Sequence, residues 1–457
     1  MKELNFRIRV ITPLFMSGAD QEAVELRPPS IRGALRFWFR AMMGGVVEGD
    51  WRKVRQLETS VFGSTEQGSG WQVRLGESTL KMLHVHDAVG SLDEGVLYLG
   101  FTLFKRGRRS RGKPPEPDTL ERACFWPSER EENFGLQIAF RSNNLLLQHV
   151  VVGTFWLLIH CGGLGARVHR GFGALDIFER GGEDLADLKW GWPQERPKNF
   201  FHKQLEQIAV IYAEFAKSRG VTADPKAIFT PATTVPSFSC FARWQGLIFR
   251  PANNKGWQNW MEALGVLGRE LRDFRRDPQI QSQFGATGDY RVVAPFLDGE
   301  LSSNSVVDLR YDSFGLPIQY RSATRTAEAQ KLAVEEARQK GLSEEEARKR
   351  ARRFQVRAIL QAERQVEGRW ERLDRRASPL LMRPIRFQDG SFGSLLLFFN
   401  AEFLPPRTRE VLRPVSEGWP LFRPMPTPVP VQPADLQIVS DFLNVLKQNR
   451  AYRVEEL

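Results

Sequence analysis

Two guanidiniums and an imidazole stand among five glycines in the stretch Cys161-Gly-Gly-Leu-Gly-Ala-Arg-Val-His-Arg-Gly-Phe-Gly173. The glycines are Gly162, Gly163, Gly165, Gly171 and Gly173; the reactive or charged side chains are Arg167, His169 and Arg170. Glycine at this density lets a backbone take positive φ and come close to a ligand. Consecutive amides in such a turn form an anion-binding concavity, and guanidiniums add paired donors for phosphate. The loop therefore reads as a cradle for a phosphate backbone. The alternative is a glycine-rich turn whose arginines face water, and spacing alone leaves both open. No Gly-Lys-Ser/Thr closes the stretch as a P-loop would, and a strand-like run follows where a dinucleotide fingerprint would open a helix.

Other candidate groups are weaker. His84 and His86 alternate, which on a strand would put both imidazoles on one face, but no third ligand lies nearby. Cys124, Cys161 and Cys240 are odd in number and far apart, so neither a disulfide framework nor a Cys-x-x-Cys metal site is indicated. The sequence thus implies no metal and no cofactor. Two cationic features remain. Arg32, Arg36 and Arg40 fall on one face of a helix expected from an N-cap at Ser30 to about residue 43, and no carboxylate accompanies them between 27 and 47. Arg32 falls in the first turn, where the macrodipole favours anions, so a cation there fits an external phosphate. Three arginines on one face are expected to be replaceable without opening the core. The second feature is the loop Lys105-Arg-Gly-Arg-Arg-Ser-Arg-Gly-Lys113, whose Lys105, Arg106, Arg108 and Arg109 suit either an RNA-contacting arm or a solvated tip.

The balance of the chain agrees with an anionic partner. Its 457 residues carry a formal net charge of +11, and 42% are hydrophobic. That balance favours nucleic acid over a membrane surface. No apolar run approaches the roughly 20 residues of a membrane span, and the N-terminus lacks a signal-peptide core. These features imply a cytoplasmic protein.

The elements that must hold these groups follow from periodicity. Residues 4–11 alternate as a half-buried strand. In the first helix, Ile31, Leu35, Trp38, Phe39 and Met42 gather on a core face. Strands are expected at 71–75 and 79–85, at 95–104 and at 134–141. The run 144–160 supports strand by its β-branched residues and helix by its length; helix is the reading adopted, because it completes a split β-α-β unit. The stretch 181–198 reads as a linker. Beyond it come helices at 204–217 and 257–274, with a strand at 237–250 between them. The segment 321–374 is dominated by Ala, Glu, Arg, Lys and Gln, with a capping-box start at Ser343, and reads as a helical hairpin or arm with a solvated surface. Strands at 380–387 and 392–403, a proline-rich stretch and a last amphipathic helix complete the chain.

Placed in this order, several motifs resemble the RAMP superfamily of CRISPR-associated RNA-binding proteins, and within it the family of the first subunit of the type III-B Cmr effector complex. They are residues 11–18 (ITPLFMSG), 28–40 (PPSIRGALRFWFR), 61–64 (VFGS), the loop 162–173, 314–318 (FGLPI) and 375–380 (RRASPL). The resemblance implies an α+β chain of two ferredoxin-like, RRM-type domains with helical insertions. These would be an N-terminal one at 1–185 and a C-terminal one at 186–457 carrying the insertion at 321–374. It implies a non-catalytic subunit, with guide and target RNA and other Cmr subunits as partners. It also adds Arg375 and Arg376 to the RNA-contacting set of Ser30, the helix arginines, the glycine-rich loop and the basic loop. The alternative is a metal-independent endoribonuclease of the same superfamily acting on CRISPR RNA, with His169, or His84 and His86, as the acid or base. Against it, the first helix offers no histidine or tyrosine to pair with His169.

Overall fold

The computed structural model describes residues 2–18, 23–109, 112, 114–127, 132–183, 185–253, 255–276, 288–302, 304–373 and 375–457. It is a mixed α+β fold with several antiparallel sheets. In chain order, β1 (Lys2–Val10) leads to α1 (Pro28–Val46) and α2 (Trp51–Phe62). Next come β2 (Trp71–Ser78), α3 (Glu94–Leu99), β3 (Phe134–Phe140), α4 (Leu145–Cys161) and β4 (Leu175–Gly181). Then follow α5 (Pro197–Ser218), β5 (Trp244–Pro251), α6 (Trp260–Arg275), α7 (Tyr290–Asp298), β6 (Ile318–Arg321), α8 (Ala323–Gln339) and α9 (Glu344–Ala351). The chain continues through β7 (Arg357–Val366), β8 (Arg369–Arg372), β9 (Leu380–Arg386), β10 (Phe392–Phe399), β11 (Thr408–Pro414) and β12 (Val429–Val431). It closes with α10 (Gln437–Gln448) and β13 (Tyr452–Glu456).

Two compact units result. Unit 1 comprises Met1–Arg272, Leu380–Glu402 and Asp441–Leu457, and unit 2 comprises Asp273–Pro379 and Phe403–Ser440. Unit 1 holds two four-stranded antiparallel sheets, ordered β2-β3-β1-β4 and β9-β10-β5-β13. Leu4, Phe6, Ile8 and Val10 of β1 face a common core with α1, α4 and α5, as the alternation of the strand requires. α4 is apolar all round and buried nearly all along its length, which its sequence shows as a long run without a polar face. Its N-terminus is capped by Asn144, whose side chain accepts from the Leu147 amide at 3.0 Å.

Several sequence expectations are corrected here. Ser30 is not the N-cap of α1: the helix starts at Pro28 after Arg27, with no side-chain cap. Proline at the first two positions supplies a preset φ and removes two of the N–H groups that a helix start otherwise leaves unbonded. The strand expected at 95–104 is instead the short helix α3, capped by Asp93 accepting from Gly95 N at 2.7 Å, and the second strand of the first sheet is β2. His84 and His86 sit in a turn and not on a strand: His86 has φ 73°, and Asp87 accepts from the His84 amide at 2.7 Å. The stretch 181–198 is a packed connection, since Leu185, Leu188 and Trp192 join the unit 1 core. Only the first part of 321–374 is helical (α8 and α9, the latter with the capping box at Ser343 and Glu346); β7 and β8 follow as a hairpin, although their composition is as polar as that of the helices before them.

Unit 2 is built on a sheet ordered β6-β7-β11-β12, with β8 on the edge of β7. Its inner face carries Tyr320, Ala358, Leu360, Ala362, Leu412, Val429 and Val431. Two carboxyls, Asp312 and Glu410, are buried side by side at this core. Burial pushes both pKa values up, and the neighbouring Glu410 charge pushes Asp312 further. Oδ2 of Asp312 and Oε2 of Glu410 have no donor among the described residues, a need met by a proton held between them. The folded pair therefore keeps a proton at pH values where the unfolded carboxyls, near 4, have lost theirs. Stability from this site is full below about pH 4 and falls as pH rises toward the raised folded values. Asp312→Asn is therefore expected to raise the thermal midpoint more at about pH 8 than at about pH 5. An equal shift at both pH values would show that the pair holds no such proton.

Candidate nucleic-acid interface

Unit 1 gathers the N-terminal candidate groups around α1. Ile31, Leu35, Trp38, Phe39 and Met42 are buried as expected, with Phe39 set between Phe62 and Tyr212, both at 5.6 Å. The arginine face meets α2. Arg40 forms a two-point ion pair with Glu58, Nε to Oε2 at 2.8 Å and Nη2 to Oε1 at 2.7 Å, and Arg36 approaches the same carboxylate at 3.7 Å. Arg32 donates to the Phe62 carbonyl and to Ser69 Oγ, with its guanidinium 5.3 Å from the Trp71 ring centroid. Burial lowers the Arg32 pKa, and the Arg36 charge adds to the effect. The stripe is therefore not a face of three dispensable cations. Removing Arg40 would strand a buried carboxylate, and Arg32 ties α1 to the end of α2. Glu58 is the residue the sequence pattern did not bring forward, and its signal was present: it lies four positions after Val54 and three before Val61, on the apolar side of α2.

Two uncompensated cationic charges remain among these four groups, and Arg36 and Arg40 keep 37% and 49% of their side chains exposed. Ser30 and Gly33 are exposed on the same helix, and a Cβ placed on Gly33 would meet nothing within 4 Å. Phe37, half-buried, stands one turn beyond Gly33, so the side chain that would cover its N-terminal side is missing.

The glycine-rich loop reaches the same helix. His169 lies against Phe37, ring centroids 6.2 Å apart in an edge arrangement. Gly165 (φ 83°) and Gly173 (φ 67°) adopt left-handed backbone, and a Cβ would fall 2.4 Å from the Phe15 carbonyl and 1.8 Å from the Leu164 carbonyl respectively. Gly162 and Gly163 are buried, Gly162 against Trp38, so these glycines serve close packing. The amides of Leu164, Ala166, Arg170, Gly171, Phe172 and Gly173 donate to carbonyls of the loop or of residues 13–15. Those six amides are not offered to a ligand, so the cradle expected from the sequence is not built from them. Two cationic side chains border the loop. Arg167, itself at φ 62°, is exposed and donates to the Phe101 carbonyl at 2.8 Å, while Arg170 is half-buried beside Met382 of β9.

What holds the loop is a residue outside it. Arg383 of β9 is buried and donates from Nη1 to the Gly162 carbonyl at 2.7 Å and from Nη2 to the Leu175 carbonyl at 2.6 Å, clamping both ends. Burial pushes its pKa down to about 10, still far above neutrality. An arginine set inside the apolar run from Leu380 to Ile385 was its signal in the sequence. The other histidine near the loop, His160, is buried in a cluster of Trp156, Trp190 and Trp192, and burial pushes its pKa down to about 3. It is a neutral core residue.

The remaining candidates are spread out. Lys105, Arg106, Arg108 and Arg109 are exposed, but Arg106 pairs with Glu94 at 3.0 Å and Arg109 lies 3.7 Å from the buried Asp118; Ser110, Arg111 and Lys113 lie outside the described residues. Arg375 and Arg376 belong to unit 2. Arg375 is exposed, whereas Arg376 is half-buried with its guanidinium 5.7 Å from the Phe403 ring, and burial lowers its pKa. Among the described residues no group of His, Cys, Asp and Glu is arranged to hold a metal ion, and no helix is long and apolar enough to cross a membrane.

Residues 7–176, which span β1, α1 and the glycine-rich loop, match the family model described as the RAMP superfamily. The chain is homologous to Cmr1-type subunits. It is 29% identical over 189 residues to the CRISPR system Cmr subunit Cmr1-2 of Pyrococcus furiosus, covering 39% of this chain and 96% of that protein. It is 31% identical over 188 residues to subunit Cmr1-1 of the same organism, covering 40% of this chain and 50% of that protein. Among solved structures, a crystal structure of Cmr1 from Pyrococcus furiosus in its apo form aligns with a TM-score of 0.49 and 19% identity, over 89% of this chain and 90% of that one. A chain of the type III-B Cmr-beta complex bound to cognate target RNA aligns at 0.42 and 12%, over 98% and 99%.

Because Arg383 carries two charged hydrogen bonds in a dry interior, Arg383→Met should destabilise the protein by about 3–5 kcal/mol. The exposed Arg167→Ala should cost no more than about 0.5 kcal/mol. Urea unfolding of the two variants checks the contrast, and equal midpoints would remove Arg383 from this role.

Proposed function

We propose that the chain is a non-catalytic RNA-binding subunit of a type III-B Cmr ribonucleoprotein, contacting the 3′ part of the crRNA and helping to capture target RNA. The observation that carries the proposal is that the glycine-rich loop seats His169 against Phe37, on the helix that also carries the part-exposed Arg36 and Arg40, inside the segment that matches the RAMP superfamily. Guanidiniums beside half-exposed aromatic rings suit a single strand, which offers phosphates and stackable bases together. In support of a ferredoxin-like, RRM-type reading, each sheet of unit 1 has its strands in the spatial order second-third-first-fourth, with a helix after the first and third. On that reading the two ferredoxin-like halves run at 1–185 and 186–457, with unit 2 as a two-part insertion in the second. Neighbouring Cmr subunits are its partners, the cytoplasm is its place of work, and it needs no cofactor.

Binding is electrostatic in large part. For single strands the logarithm of affinity falls with the logarithm of salt by about 0.7 per neutralised phosphate. Arg36→Gln with Arg167→Ala, which leaves the Arg40–Glu58 pair in place, should weaken binding and reduce that slope by about 0.7 for each phosphate no longer neutralised. The measurement is fluorescence anisotropy with repeat-derived and unstructured RNA in EDTA, resolved afterwards on a denaturing gel. Intact RNA is expected. Cleavage that disappears in His169→Ala would favour the nuclease instead, and affinity independent of salt would sink the phosphate track.

A further inference from the structure

The sheet of unit 2 has an outer face unlike its apolar inner one. Side chains alternate across a strand, so the cross-strand pairing decides which residues share a face. Glu363 of β7 stands opposite Arg372 of β8 and Arg409 of β11, and Arg357 opposite Arg321 of β6; Arg413 stands opposite Ile359 of β7. Trp370 stands opposite Gln365, on the same side. The face thus gathers five arginines and one strand carboxylate from four strands, with Glu417, outside the strands, 3.7 Å from Arg357, while Leu360, Ala362 and Leu412 turn inward.

The strand carboxylate is used to organise cations. Glu363 is buried, its side chain 4% exposed, and accepts from Arg409 Nε at 3.1 Å and Nη2 at 2.9 Å and from Arg413 Nε at 2.8 Å. Burial works to raise its pKa, and the bonds from the two arginines outweigh burial and hold it below the ordinary value. Arg409, fixed from beneath, lies with its guanidinium 4.0 Å from the centre of the Trp370 ring. Trp370 remains 40% exposed, Arg372 is exposed beside this stack, and Arg321 is exposed at the other end of β7, opposite Arg357. A preset guanidinium and a part-exposed indole on a strand surface are the two elements that bind single-stranded nucleic acid, one for the backbone and one for a base.

We infer that the outer face of this sheet is a second single-stranded RNA contact, in which Trp370 stacks a base and Arg321, Arg372, Arg409 and Arg413 engage the phosphates. The inference rests on the RNA-binding reading of the chain but uses none of its α1 or loop residues. RNA is favoured over an acidic protein surface because an indole locked on a guanidinium adds a flat stacking partner that a carboxylate surface does not use.

Arg409 and Arg413 are poor test positions, since removing either leaves Glu363 buried with less compensation. Trp370→Ala and the pair Arg321→Gln/Arg372→Gln alter exposed side chains. Anisotropy titrations of the full chain with a fluorescein-labelled oligouridylate, over a range of salt, give the readout, with circular dichroism to confirm folding. Trp370→Ala is expected to weaken binding roughly five- to a hundredfold with an unchanged salt slope, and Trp370→Phe to recover most of it. The arginine pair should reduce the slope by about 0.7 per phosphate released. If both unit 2 variants bind as wild type while Arg36→Gln/Arg167→Ala is impaired, this second contact is refuted and the RNA-binding reading stands. If the wild type binds no RNA, both fall. If poly-aspartate competes as well as RNA at equal charge and Trp370→Ala changes nothing, the face binds acidic protein and the inference is overturned.

Discussion

A guanidinium withdrawn from water has to be solvated by the protein, and in unit 1 that requirement governs the geometry of everything around the candidate interface. Arg383 meets it with the carbonyls at the two ends of the glycine-rich loop. The loop cannot widen without abandoning one of those bonds, and it cannot narrow because Gly163, Gly165 and Gly173 already touch neighbouring backbone at distances no side chain permits. Squeezed between these limits, the loop has little freedom left, and His169 is carried to α1. The arginine thus contributes position without approaching a ligand, and the charged groups that face solvent are oriented by one that does not.

The same logic distinguishes the cations of α1. Counting charge along one helix suggested three equivalent arginines, but the helix packed beside it carries Glu58 on its apolar side, and that carboxylate ranks them. Arg40 is a partner in an ion pair, Arg32 a fastener to the Phe62 carbonyl, and Arg36 retains the most freedom to meet an external anion. Basic surfaces of this kind carry a few acids that hold guanidiniums in a chosen orientation, and Glu363 in unit 2 repeats the device on a strand surface.

Much of this was legible in the residues. The apolar side of α1 and the capping box at Ser343 follow from local pattern, because each satisfies its own backbone within one segment, whereas α4, apolar all round, was read as helix for the unit it completes. The failures have a common origin. The run 95–104 contains aromatic and branched residues suited to a strand, yet Asp93 supplies a local cap and the sheet position is already filled by Trp71–Ser78. The stretch 181–198 has the composition of a linker, but Leu185, Leu188 and Trp192 find a core that only the assembled chain provides. For the site, the loop and the stripe were visible as types and spacings. Glu58 and Arg383 act across 18 and 221 residues, a coupling that no single window contains. The basic face of unit 2 is hidden in the sequence because each strand contributes only one or two of its charges, and only the pairing register collects them on one side.

The order in which the second sheet of unit 1 is completed carries its own consequence. β5 pairs with β13 at the far end of the described chain, Leu247 opposite Glu456, and the chain makes two excursions through unit 2 before that strand arrives. The anchor of the glycine-rich loop is likewise separated from it by 221 residues. At about 5–20 residues per second, a ribosome would add that length in roughly 10–45 s. During that interval the first sheet can close from its own segments, but the loop has no clamp and the inner faces of the second sheet have no cover. The nascent chain would thus pass through a stage in which its cationic residues are displayed on an incompletely ordered surface. Such a chain invites premature association with any polyanion at hand, and docking of the C-terminal strands is the event that ends this vulnerable period.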